Sequence, residues 1–172
     1  MKNSVSSLLR SVLAFALLAG LACSSANAAP KGFQIKKIKS GLTVNYDGEL
    51  FTKYVIDQSN KPYLYPVIGP TGKPMTRAYP METIEGEQHD HPHHRSLWFG
   101  HQGVGGFDSW HEALTIEERF RKKKPEDKEK AMAVLASTKH VSFRVISFGP
   151  KRAVIESVND YVGSDGKKLM SD

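Results

Sequence analysis

Leu42, Val44 and Tyr46 alternate with Thr43 and Asn45. Successive side chains of an extended backbone point to opposite faces, so this period of two predicts a half-buried strand. Phe33 to Ile38 predicts the strand before it, across a Ser40-Gly41 turn. Asp47-Gly48 predicts a tight hairpin, because glycine tolerates the positive φ such turns need. Glu49 to Ile56 then returns as a β-rich run. Lys61 to Ile68 is extended but carries Pro62 and Pro66, which cannot donate to a ladder. It predicts an edge strand or an ordered extended loop. Gly69 to Pro74 is turn chemistry.

Further on, Val141, Phe143 and Val145 alternate with Ser142 and Arg144. With the Gly149-Pro150 turn and the run Arg152 to Val162, residues 139–162 predict a hairpin. Residues 80–111 have no clean period and read as loops around one short strand, Leu97-Trp98-Phe99. Ser109 to Arg119 is a weak helical candidate, and Ala131 to Ala136 fits helix or strand equally. Many short strands with turns at short intervals predict an all-β fold, a β-sandwich.

The two ends modify this picture. Lys2 and Arg10, the ten-residue apolar run Leu13 to Ala22 and the small-x-small site Ala26-Asn27-Ala28 predict a secretory signal. The expected division is a signal peptide, 1–28, and a domain, 29–172, exported to the periplasm or the medium. The apolar run falls short of the roughly 20 residues a membrane span needs, so no integral membrane span is expected. Cys23 follows Ala22 as a lipoprotein cysteine would. Gly20 occupies the position where an aliphatic residue belongs, which favours soluble export. At the other end, Gly163 to Gly166 is a hairpin turn, and Lys167 to Met170 begins a strand shortly before Asp172. A strand at 152–162 without its expected partner follows, as in the amino-terminal piece of a longer sandwich.

Composition is ordinary for a globular chain, with 40% hydrophobic and 24% charged residues, which excludes wholesale disorder. The net charge of +6 includes Lys2 and Arg10 of the signal. The densest charge, Glu117 to Lys130, mixes signs without interleaved aromatics. It reads as a solvated loop and not as a nucleic-acid surface. One cysteine leaves no intrachain disulfide and no CxxC zinc site.

The chemistry concentrates elsewhere. Of the seven histidines, His89, His91, His93, His94 and His101 crowd one short stretch, with Glu87, Asp90 and Arg95 among them. Imidazoles move protons near neutral pH or ligate metals. If 89–93 is extended, His89, His91 and His93 share one side and suit Zn, Fe or Mn. Gly86 before two His-x-His pairs has the look of a cupin metal motif. Pro92 counts against a regular strand, and the glutamate that motif wants is missing between Arg95 and Glu112. Arg77 and Arg95 can hold substrate oxygens in bidentate fashion or pair with nearby glutamates. Trp98 and Trp110 bracket the turn Gly103 to Gly106. With His101 and Asp108 they are candidate substrate contacts through stacking and hydrogen bonds.

Three stretches carry a resemblance to a known family: Tyr63 to Pro70, Met75 to Pro80, and Asp90-His91-Pro92-His93-His94-Arg95-Ser96-Leu97-Trp98-Phe99. They resemble the PmoA-like family of secreted bacterial proteins, whose label is borrowed from a methane oxygenase and whose activity is not established. The resemblance covers about Phe33 to the end and implies a β-sandwich near twice this length. This chain departs from the family pattern at Gly105, where asparagine is common, and at Ser109, where phenylalanine is common.

Three readings follow. The first is a secreted enzyme acting on a carbohydrate or sugar derivative. There His93 or His94 serves as acid/base, Glu87 or Asp90 orients it, and Arg77 and Arg95 bind substrate. The second is a non-catalytic carbohydrate-binding module using Trp98, Trp110 and the arginines. The third is a cupin-like metal-dependent oxygenase or isomerase.

Overall fold

A computed structural model describes residues 31–172. The signal peptide expected at 1–28 and its Cys23 lie outside the described residues. Ten elements follow in order: β1 (Phe33–Ile38), β2 (Gly41–Tyr46), β3 (Glu49–Val55), β4 (Tyr63–Val67), β5 (Leu97–Trp98), α1 (Ala113–Arg119), α2 (Pro125–Ala133), β6 (Ala136–Phe148), β7 (Ala153–Gly163) and β8 (Lys168–Ser171). They form two antiparallel sheets, β1-β2-β3-β4-β5 and β6-β7-β8. The fold is all-β, as the alternation predicts. Among the described residues no helix is long and apolar enough to cross a membrane.

The alternation of β2 buries Leu42 and Val44, which with Ile35 of β1 form the core. Phe143 and Ile146 of β6 and Ala153 and Ile155 of β7 pack on this cluster, so the second sheet contributes to the same apolar centre. Gly41 opens β2 with φ +136°, and a Cβ there would lie 2.0 Å from the Tyr54 carbonyl oxygen. Only glycine lets β3 come so close. β4 pairs with β3 through Tyr63, Leu64 and Val67 across a shift in register, and its other side meets only two residues of β5. Pro66 lies beyond that short pairing, near the edge position its missing N–H requires.

Two expectations change. Part of the charged run 117–130, expected as a loop, is helical in α2. Pro125 sits at its start, Glu126 and Asp127 in its first turn and Lys130 in its last. These are favourable helix-end placements, and none of its residues is buried. The second change concerns β7. It is not left without a partner, because β8 pairs with Asp160 to Val162 and Asp172 bonds the Asn159 backbone in both directions. Among the described residues, only its first part, from Ala153, has β6 as sole neighbour.

Candidate functional site

The loop between β4 and β5 carries four of the clustered histidines, and its shape comes from polar stitching. Arg77 Nη2 donates to the carbonyls of Gln88 and Asp90, both at 2.7 Å, and Nη1 to Asp90 Oδ1 at 3.1 Å. Glu87 accepts the backbone N–H groups of Ala78 and Tyr79 at 2.7 to 3.1 Å. Those bonds hold its carboxyl below the usual range. Both residues therefore shape the loop. Arg77 is not a free substrate fork, and Glu87 does not orient a histidine.

The extended run that would align His89, His91 and His93 does not form. His91 has φ +48°, and the His94 N–H closes a turn onto the His91 carbonyl. His89 stacks on Tyr79 instead, with ring centroids 4.7 Å apart. Among the described residues no three His, Cys, Asp or Glu side chains form a metal-holding group. The cupin-like reading loses its geometric premise.

What the turn achieves is a packed imidazole cluster. His93 is buried, and its Nδ1 lies 3.0 Å from the Thr115 hydroxyl of α1. Its ring is 4.3 Å from that of His94 and 4.8 Å from that of His111. Burial, reinforced by neighbouring His94, His111, Lys61 and His91, pushes its pKa from 6.5 down to about 4. His94 stacks on His91 and on Trp98 and is lowered too, first by burial. A histidine with a depressed folded pKa binds protons more readily in the unfolded chain. Its stabilisation is complete above pH 6.5 and is lost as pH falls through 6.5 toward 4. The melting temperature is expected to drop across that window, and His93→Gln should make the slope shallower. Superimposable slopes for the two proteins would count against a buried neutral His93.

The second half of the site is the segment 108–112, tied to the start of β6 through backbone bonds of Asp108. Asp108 Oδ1 accepts the N–H groups of Trp110 and His111, and Oδ2 lies 2.6 Å from His111 Nδ1. Burial pushes the Asp108 carboxyl up, but the His111 and Trp110 hydrogen bonds outweigh it and leave it below the usual range. Asp108 thus orients an imidazole. Asp90 makes the corresponding contact to His91, 2.8 Å from Nδ1.

A buried ionic network locks the two segments together. Arg95 grips Glu112 with three hydrogen bonds of 2.9 to 3.0 Å. Lys61, 1% exposed, lies 3.2 Å from the same carboxylate and 2.8 Å from the Trp110 carbonyl. It also sits 4.7 Å over the Trp98 ring. Asn60 donates to the His111 carbonyl, and Ser59 to Glu112. Burial lowers the Lys61 pKa, only partly offset by Glu112. Burial raises that of Glu112, and its cationic partners more than compensate. Arg95 is accordingly a structural ion-pair partner.

A hollow of about 500 Å³ opens beside these groups. His89, Asp90, His91, His93 and His111 line it on one side, and Thr115, Glu118 and Arg119 of α1 on another. Its walls are loops and a helix, not the β-structure that the sequence suggests. His94 does not line it, and His101 lies apart, with its ring near Phe99 and Tyr161. Trp98 and Trp110 meet edge to face at 4.5 Å. His111, Glu112, Lys61 and Thr115 are the residues that sequence reasoning overlooks. The only local signal was the Asp108-x-x-His111 spacing.

A model for a family of unknown function (DUF6807) matches residues 41–172. No curated protein and no solved structure matches the chain.

Proposed function

We propose that this chain, which belongs to this family of unknown function, is an exported enzyme transferring protons on a carbohydrate or sugar derivative. The observation that carries this reading is the Asp108–His111 pair, 2.6 Å apart, whose His111 lines a hollow that the Asp90–His91 pair lines too. A carboxylate on Nδ1 fixes the tautomer and leaves the other ring nitrogen available as a base. Two such pairs on one hollow supply a base and an acid, the arrangement that epimerases, lyases and hydrolases share. His93 contributes differently. Neutral and hydrogen-bonded to Thr115, it spaces His94 from His111. The sandwich architecture and secretion implied by the PmoA-like resemblance fit an enzyme that meets glycans outside the cytoplasm.

The test is to incubate the whole chain with neutral and oxidised oligosaccharides in D2O and read product masses. Cleavage, elimination or deuterium uptake on at least one sugar is expected. A panel that binds but returns unchanged would sink the catalytic reading and favour the carbohydrate-binding module.

A further inference from the structure

A second hollow, of about 340 Å³, shares Trp98 with the histidine cluster. This is within the lower range of small-ligand pockets, roughly 300–1,000 Å³. Tyr63, Trp98, Phe99 and Tyr161 give it aromatic walls, and Phe99, 61% exposed, stands at its mouth. Its polar edge comes from Thr138, Asn159 and Asp172. These groups are already ordered. Asn159 Nδ2 donates to Asp172 Oδ1 at 3.1 Å, and the Tyr161 hydroxyl donates to Asp172 Oδ2 at 3.0 Å.

Thr138 is the exception. It is 6% exposed, and its hydroxyl is buried with no hydrogen-bond partner. Buried polar groups normally have one, and leaving one unpaired is unfavourable. A ligand hydroxyl entering the hollow would supply the missing partner. Aromatic faces beside fixed polar groups suit a ring with apolar C–H faces and a hydroxylated rim. Asp172 has no ion-pair partner among the described residues, so its carboxylate disfavours an acidic sugar.

We infer that this hollow is a binding subsite for one uncharged pyranose unit of a glycan. The inference requires binding only. Joined to the proton-transfer reading, on which it rests for the rest of the substrate, it means a glycan of at least two units that passes Trp98.

The test uses the full chain with cellobiose, xylobiose and maltose as neutral probes and digalacturonate as the acidic one, read by NMR shift perturbation. At least one neutral probe is expected to move the Trp98 indole, Thr138 and Asn159 signals, and the acidic probe is expected not to. Thr138→Val should weaken that binding about three- to tenfold, the worth of one hydrogen bond. Its melting temperature should stay level or rise, because the orphaned hydroxyl is gone. A merely structural threonine would move stability and not affinity. Binding of a neutral probe at these signals without its conversion would keep the subsite and sink only the catalytic reading, which separates the two. The subsite is overturned if no neutral probe moves those signals, if Thr138→Val binds equally well, or if digalacturonate binds as tightly.

Discussion

Lys61→Met is expected to cost about 3–5 kcal/mol of folding stability, the range for breaking a buried ion pair by removing one partner. The shift in melting temperature should be on the order of 10 °C. The Lys61 side chain is fully buried and that of Glu112 is 7% exposed. Its loss leaves the Trp110 carbonyl and Asn60 Oδ1 without their ammonium donor. It also leaves Arg95 as the remaining cation on the Glu112 carboxylate among the described residues. Adding Glu112→Gln to Lys61→Met should cost less than Glu112→Gln alone, since the contact between Lys61 and Glu112 is already lost. The two changes should therefore be non-additive. Thermal melts of both single variants and the double variant measure this. Additive losses would mean that Lys61 and Glu112 act independently, against the 3.2 Å contact between them.

The same network explains what sequence could and could not disclose. Strands β1 to β3, β6 and β7 are legible because alternation is local: each residue's face follows from its neighbours two places away. α2 escaped because its charges suggest a solvated loop. Its helical signals are positional, with Pro125 at the start and acids before bases. The histidine cluster was legible as a concentration of imidazoles, but not its geometry. A turn at His91, set by φ +48°, sends His89 onto Tyr79 and turns the expected alternation aside. For Arg77 and Arg95 sequence leaves substrate forks and ion pairs with nearby glutamates both open, because their actual partners lie 11 to 17 positions away and include backbone carbonyls. Lys61 and Glu112 lay furthest out of view. Contacts between Ser59, Asn60 or Lys61 and the 110–112 segment span 49 to 53 positions. No local pattern encodes such a pairing.

His111→Ala is expected to lower turnover of any sugar substrate about 10²- to 10⁴-fold, the usual contribution of a positioned acid or base. The rate rather than the binding should suffer, because the imidazole acts on the reacting proton while the hollow keeps its other walls. His94→Ala is the internal comparison. His94 is stacked between His91 and Trp98 and does not line the hollow, so its loss should cost far less. Equal losses for both would return His94 to the catalytic role and remove the distinction drawn from the Asp108 contact.

The most direct measurement is the imidazole nitrogen spectrum of His111 in the 15N-labelled chain at pH 8, with and without saccharide. The expected result is a proton on Nδ1, facing Asp108, and a bare Nε2 whose signal moves when sugar enters the hollow. A proton on Nε2 with a bare Nδ1, or an Nε2 signal indifferent to every sugar that the chain binds or converts, would contradict an oriented base at this site.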